Sequence, residues 1–340
     1  MIKKTILRLA SAVFAVFGAS VLSFVLLRFA PGDSVGLVLG PFATEAAKIQ
    51  LAAEMGLDKS MPVQYGLYVR DLFSGNWGYS YSMGQPIYEL FASRLPASLE
   101  LSMAALFFTF ITALLLALVK TYTKRGGIKK GIDLFCYAGY SMPQFFLGLM
   151  ALVIFSGALG IFPGPEGRTR FPLFSLPRTT GFLILDSLIA GNLPLFLDAL
   201  WHLVLPAFTL GLYSTAFLTR ILQANLEQAY GEKFITVSLS RGISEWYALV
   251  RHALPNALVT TATAAAVLTG ILITGTMLVE TVFAWPGIGA LITLSIQKKD
   301  FSVVQAFVFF SAVIFILSNL VVEVLITKID PRLNGTRDIL

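Results

Sequence analysis

Few residues in this chain have the chemical type and spacing to do chemistry, and they do not cluster as an enzyme's would. There are two histidines and one cysteine, Cys136, in 340 residues. His202 and His252 lie fifty positions apart, which argues against a shared metal site, and Cys136 has no partner for a disulfide. No Gly-Lys dipeptide occurs, so a nucleotide-cradling P-loop is absent. His-Glu-x-x-His and Gly-x-Ser-x-Gly are absent as well. No catalytic residues, cofactor or metal are therefore assigned to the chain, because an intramembrane enzyme needs some such constellation.

The informative segment is residues 227–258, within a polar stretch that starts at Asn225. Glu232 and Arg241 bracket a short run that suits the helix dipole, with acid first and base last. Gly242 is a natural terminator. Ser244 can cap a second helix with Glu245 in its first turn, and that helix is expected to stop near Pro255. Ile235, Val237 and Leu239 are apolar yet lie outside any membrane-length run. They either rest on lipid headgroups or anchor a partner protein.

The elements that position this segment follow from composition. The chain is 56% hydrophobic and 13% charged, with mean hydropathy +0.78. A soluble domain carries roughly twice that charge. Six apolar windows reach membrane-crossing length: residues 9–30, 98–119, 134–159, 200–222, 259–283 and 303–327. Pro143 and Pro206 fall inside the third and fourth, where neighbouring helices can satisfy the freed carbonyls. The net charge of +6 does not point to nucleic acid, because Lys and Arg sit in short loops between the apolar runs.

With the N-terminus inside, fifteen of the 25 basic residues fall on the inner side, five of them between Lys120 and Lys130. The positive-inside rule then gives an all-α, six-span, N-in/C-in membrane protein. The expected organisation is residues 1–30 as cytoplasmic N-terminus and first span, and 31–97 as an extended outer segment. A five-helix core follows at 98–327, with the inner loop 223–258, and then a cytoplasmic tail at 328–340. A short helix over 44–55, capped by Thr44, is expected in the outer segment. The outer stretch 161–199 reads as irregular, with a short apolar piece at 182–189.

Further polar residues belong to the spans. Glu280, at the outer end of the fifth, reads as a snorkelling or helix-end carboxylate, with a gate role beside Trp285 as the alternative. Thr274 and its neighbouring hydroxyl and small residues either pack helices closely or line a polar path. Ser141, Met142 and Pro143 bend the third span, near a gate. His202 reads as interfacial and His252 as structural. Glu323 and Asn319 read as structural partners of Arg220 or Lys328.

The order of several short motifs resembles binding-protein-dependent ABC importer permeases of the dipeptide/oligopeptide/nickel family, in particular the B-type dipeptide permeases. Gly242, then His252-Ala253-Leu254-Pro255, is similar to that family's inner-loop signature, with Thr236-Val237-Ser238 where other permeases carry Glu-Ala-Ala. Pro31-Gly32-Asp33, Gly56-Leu57-Asp58-Lys59, Pro96-Ala97-Ser98-Leu99-Glu100-Leu101 and Ser141-Met142-Pro143 also match. So do the run Glu280 to Gly289 and Asp330-Pro331-Arg332, so the resemblance covers nearly the whole chain.

The resemblance implies a type I importer fold in a bacterial inner membrane. It implies a second, homologous permease subunit, two cytoplasmic ATPase subunits that bind the ATP and Mg, and an extracytoplasmic solute-binding protein. It assigns residues 232–241 as the coupling helix. Glu232, Phe234, Ile235, Val237, Ser238, Arg241, Gly242, Leu254 and Pro255 are then the ATPase-coupling residues. Ser141, Met142, Pro143, Thr274, Glu280 and Trp285 are candidates for the gate and path. Di- or oligopeptides are the expected cargo, with nickel or a metal–metallophore complex as the alternative. An ion-driven secondary transporter is the rival of another class, but the paired midplane carboxylates or repeat-related broken helices it needs are not visible.

Overall fold

Long apolar runs with few breakers leave the backbone one economical choice, the helix, and nearly every element is helical. The computed structural model describes residues 2–29, 39, 44–54, 56, 58–80, 82–172, 179–274 and 276–329. Pro31-Gly32-Asp33, Leu57 and Asp330-Pro331-Arg332 lie outside the described residues, as do the side chains of Thr274, Asn319 and Glu323. The chain divides into two compact units, Met1–Leu95 with Ala290–Ile316, and Pro96–Gly289 with Leu317–Leu340.

The first unit holds α1 (Ile2–Phe29), α2 (Glu45–Glu54) and α3 (Met61–Phe73). Thr44 accepts the Ala47 amide at 3.3 Å, so α2 starts at the expected cap. Ser20 and Ser23 of α1 bond the Tyr65 and Tyr68 hydroxyls of α3, each at 2.7 Å. A two-stranded hairpin follows, β1 (Tyr79–Ser80) against β2 (Gln85–Pro86), with Tyr79 opposite Pro86. Asp300 ties this hairpin down, accepting from Ser80 Oγ at 2.6 Å and Ser82 Oγ at 2.7 Å.

The second unit is built around α8 (Leu193–Tyr230), a 38-residue helix that passes through Pro206 without a break. The helix α4 (Ile87–Tyr122) begins in the first unit and continues into this one. Then come α5 (Gly126–Ser141) and α6 (Gln144–Ala151), which leads into a π-helical turn over Leu152–Ala158. A short α7 (Leu183–Ile189) precedes α8. After α8 come α9 (Lys233–Ser240) and α10 (Glu245–Tyr247), with a second π-helical turn over Ala248–Ala253. They are followed by α11 (Leu254–Thr274), α12 (Met277–Val282) and α13 (Ile288–Gln297), which crosses back into the first unit, and by α14 (Phe301–Ile329). Cys136 is a buried filler of α5, packed with Ile132 and Ala216.

Among the described residues, four helices are long and apolar enough to cross a membrane, or five if the pair α5 and α6 forms one span. Large apolar side chains face outward on them, such as Phe107 at 69% exposure and Leu134 at 70%. That surface suits lipid or partner helices and not water. The described side chains of α1 supply a shorter apolar stretch, Ala10–Val25.

Three expectations about helix continuity are corrected. The window 134–159 is not one bent helix: α5 and α6 meet at 110° across Met142 and Pro143. The proline ring drives its predecessor out of the α region, and Met142 is extended, at φ −98° and ψ 136°. The window 259–283 breaks after Thr274, and the separate helix α12 begins after Thr276. The helix after Ser244 does not stop near Pro255 but runs on into α11. A π-turn ends at Ala253, directly before Leu254 and Pro255. The change from five-residue to four-residue spacing there leaves the proline's missing N–H at a point of low cost.

The stretch before α8 is irregular but anchored. Burial pushes the Asp186 carboxyl up, but hydrogen bonds from the Thr180 hydroxyl and from the Thr180, Gly181 and Thr179 amides outweigh it and hold the group below the usual carboxylate range. The bonds run from 2.6 to 3.2 Å. The ionised form is thus favoured in the fold, and its stabilising contribution is complete above about pH 4, the ordinary carboxylate value. It is lost as pH falls through the lowered folded value. Hydrogen exchange at the Thr179, Thr180 and Gly181 amides is expected to accelerate in that acid window, and Asp186→Asn should show the fast exchange at neutral pH too.

Candidate functional site

Two sites emerge from the predicted residues, both within the second unit. The first is the pair of short helices between α8 and α11. Glu232, in extended conformation, precedes α9, and Arg241 closes it. The end of α9 is a Schellman motif: the Gly242 amide reaches the Leu239 carbonyl at 2.9 Å and the Ile243 amide the Ser238 carbonyl at 3.4 Å. Gly242 takes φ +84°, where a side chain is disfavoured, and nothing lies within 4 Å of where its Cβ would be. The glycine is there for its backbone, not for space. Ser244 Oγ then accepts the Tyr247 amide at 3.3 Å, as the expected N-cap.

The two faces of this elbow differ. Ile235, 1% exposed, is sunk in a cluster with Leu226, Ala248, Leu249, Ala253 and Leu254, and Leu239 and Ile243 pack beside it. Phe234 and Val237 point outward, 43% and 50% exposed, as do Trp246 and Tyr247. Ser238 is half-buried, and its hydroxyl bonds the Phe234 carbonyl at 2.8 Å. Arg241 and Pro255 are exposed. The end of α4 buttresses the elbow, with Tyr122 edge-on to Trp246 at 5.2 Å and Lys124 at 3.3 Å from Glu245. One face is therefore fixed to the helical core, and the other offers apolar and aromatic groups around an exposed arginine.

The second site surrounds Glu280. It does not snorkel: it is fully buried, which corrects that expectation. Its Oε1 accepts from Ser98 Oγ and Thr276 Oγ1, each at 2.6 Å. Ser98 Oγ in turn accepts the Ile288 amide at 2.8 Å, and the Trp285 indole N–H donates to the Ala97 carbonyl at 2.8 Å. A Cβ on Gly287 would fall on the Glu280 carboxylate, and one on Gly289 on the Met277 backbone. The knot thus joins the start of the second apolar window to the turn after the fifth.

Ser141, Met142 and Pro143 are exposed at the α5–α6 break. They do not join the Glu280 knot, but α6 packs Gly148 closely against Val282 and Phe283 next to it. Sequence reasoning did not single out Ser98 or Thr276 as site residues. Ser98 lies inside a matched motif and Thr276 among the hydroxyls of the fifth window, with nothing to say that Ser98 reaches a residue 182 positions away. Trp246 and Tyr247, both exposed on the elbow, were not singled out either. His202 is buried, with Nδ1 2.8 Å from the Asp198 carbonyl. His252, half-buried beside Tyr247, fits the structural reading.

The family described as "Binding-protein-dependent transport system inner membrane component" matches residues 110–335, and its N-terminal counterpart matches residues 1–103. The chain belongs to this family. It is a multi-pass membrane component of such a transport system. A probable D,D-dipeptide transport system permease protein of Escherichia coli K12 is 36% identical over 321 residues, 94% of each chain. A di/tripeptide transport system permease protein of Pseudomonas aeruginosa is 34% identical over 334 residues, 97% of this chain and 98% of that one. A solved amino acid ABC transporter structure covers 72% of this chain and 94% of that chain, at 17% identity and a TM-score of 0.47.

Proposed function

We propose that this chain is one permease subunit of an ATP-driven importer for di- or oligopeptides in a bacterial inner membrane. It spans the membrane six times with both termini inside, the bent α5–α6 pair serving as one crossing. A second, homologous permease completes the path, an external solute-binding protein delivers the peptide, and two ATPase subunits bind and hydrolyse MgATP. The elbow 227–258 receives the ATPase, through Phe234, Val237, Ser238 and Arg241 on the open face of α9. Ile235, Leu254 and the Gly242 turn hold that face in place. Glu280 and Trp285 belong to the outer gate, and the break at Ser141, Met142 and Pro143 to the path.

The observation that carries this reading is the two-faced elbow. A helix that merely rested on lipid would not need a glycine-locked turn and an aromatic buttress behind it. The peptide cargo is supported by the names of the full-length relatives. Nickel uptake is left with no specific observation in its favour.

The reading is tested by affinity purification of the assembled transporter. Tagged wild-type chain is expected to carry its ATPase subunits through detergent and size-exclusion steps. Phe234→Asp combined with Val237→Asp should lose them, since charging an apolar anchor leaves it desolvated and unpaired. The same variant should keep the partner permease and its thermal stability, because both side chains already face solvent. Full retention of the ATPase subunits would refute the assignment of this face.

A further inference from the structure

A cavity of about 910 Å³ opens between residues 160–171 and the start of α8. No step of the reading above uses it. Its walls include Phe162, Glu166, Arg170, Asp198, Trp201 and His202. The Trp201 and Phe162 rings stack at 4.5 Å, and the indole N–H is fixed on the Ile161 carbonyl at 3.1 Å.

The charges are unequally satisfied. Asp198 is 7% exposed and saturated: Arg170 Nε lies 2.9 Å away, Thr169 Oγ1 donates at 2.6 Å and the Arg170 amide at 3.1 Å. Glu166 has no Lys or Arg within ion-pair distance among the described residues, and its side chain is 59% exposed. Glu166 is therefore the carboxylate of this pocket that no described Lys or Arg offsets.

His202 identifies what would neutralise it. Its side chain is 3% exposed. Nδ1 faces the Asp198 carbonyl at 2.8 Å and the Asp198 carboxylate Oδ2 at 3.5 Å, both of which only accept, so the tautomer with one ring proton carries it on Nδ1 and leaves Nε2 an acceptor. Nε2 is buried without a hydrogen-bond partner, 3.9 Å from Glu166 Oε2. Two acceptors face each other across a gap too long for a direct hydrogen bond. One nitrogen bearing several N–H groups can bridge them, lying about 2.8–3.0 Å from each. The exposed Glu166 side chain is free to swing aside and admit it. The Trp201 face is suited to the same cation.

We propose that this pocket binds an organic primary ammonium, held by Glu166 Oε2 and His202 Nε2, with its apolar body on the Trp201–Phe162 stack. A divalent metal is a poorer fit, since no group of three His, Cys, Asp or Glu side chains that could hold one is found among the described residues. A quaternary ammonium lacks the N–H donors.

The test uses the assembled transporter in lipid nanodiscs, without ATP or binding protein, and 2-phenylethylamine as the probe. Titration is followed by calorimetry and by tryptophan fluorescence. Saturable binding is expected, and it should weaken tenfold or more in Glu166→Gln. The neutral 2-phenylethanol and the quaternary trimethyl(2-phenylethyl)ammonium should each bind at least tenfold more weakly than the probe. Absence of saturable binding, or a loss smaller than tenfold for the variant or for either comparator, overturns the proposal. Because no transport is measured, a negative result leaves the importer reading untouched.

Discussion

Gly242→Pro is expected to abolish ATP-driven uptake while leaving the chain inserted in the membrane at its normal level. Gly242 sits at φ +84°, and proline is confined near −65°. The substitution also removes the amide that bonds the Leu239 carbonyl at 2.9 Å. Breaking such a turn costs about 3 kcal/mol or more, so the population with a correctly presented α9 should fall about a hundredfold. Gly242→Ala separates conformation from space. With nothing within 4 Å of its Cβ, alanine should pay only the left-handed backbone strain, about 1–2 kcal/mol, and uptake should fall roughly five- to thirtyfold. Uptake assays alongside membrane quantification of both variants measure the pair. Wild-type uptake by the proline variant would show that the elbow does not transmit the work of the ATPase.

Gly287→Ala should be among the most destabilising single methyl groups that can be added to this chain. Its Cβ would fall on the carboxylate of Glu280, which is fully buried and held by Ser98 and Thr276. Overpacking of this kind costs about 1–3 kcal/mol. Moving the carboxylate away would add the loss of its buried hydrogen bonds, of the order of 1–3 kcal/mol. The sign reverses in a double variant. Glu280→Ala alone leaves a cavity and unpaired hydroxyls, and Gly287→Ala then partly fills the space. The two changes together should therefore cost less than their sum. Thermal unfolding of the four proteins in one detergent supplies the cycle. Simple additivity would mean that the two residues do not share a site.

What could be read in the chain beforehand follows the range of the forces involved. The elbow was legible because its determinants are local: Gly242 needs only its own φ, and Ser244 caps an amide three residues on. The apolar windows were legible because lipid imposes length and composition on each span separately. The break at Met142 and Pro143 was only half legible. Proline marks the place, but whether a helix kinks or snaps depends on neighbours able to satisfy freed carbonyls. The passage of the helix through Pro255 was misread because the local rule against proline takes no account of a π-turn just before it. Burial of Glu280 and His202 was not legible at all. A carboxylate near a span end looks alike whether it faces water or Ser98, and that contact joins residues 182 positions apart.

In the proposed importer the permease core is driven from below through residues 227–258, with a peptide as cargo. The most direct measurement is uptake of a labelled dipeptide into proteoliposomes holding the complete transporter, with its binding protein outside and ATP inside. Accumulation is predicted to require enclosed MgATP, to persist when ion gradients are collapsed, and to be lost in Gly242→Pro. Accumulation without ATP that follows an imposed proton or sodium gradient would contradict the account.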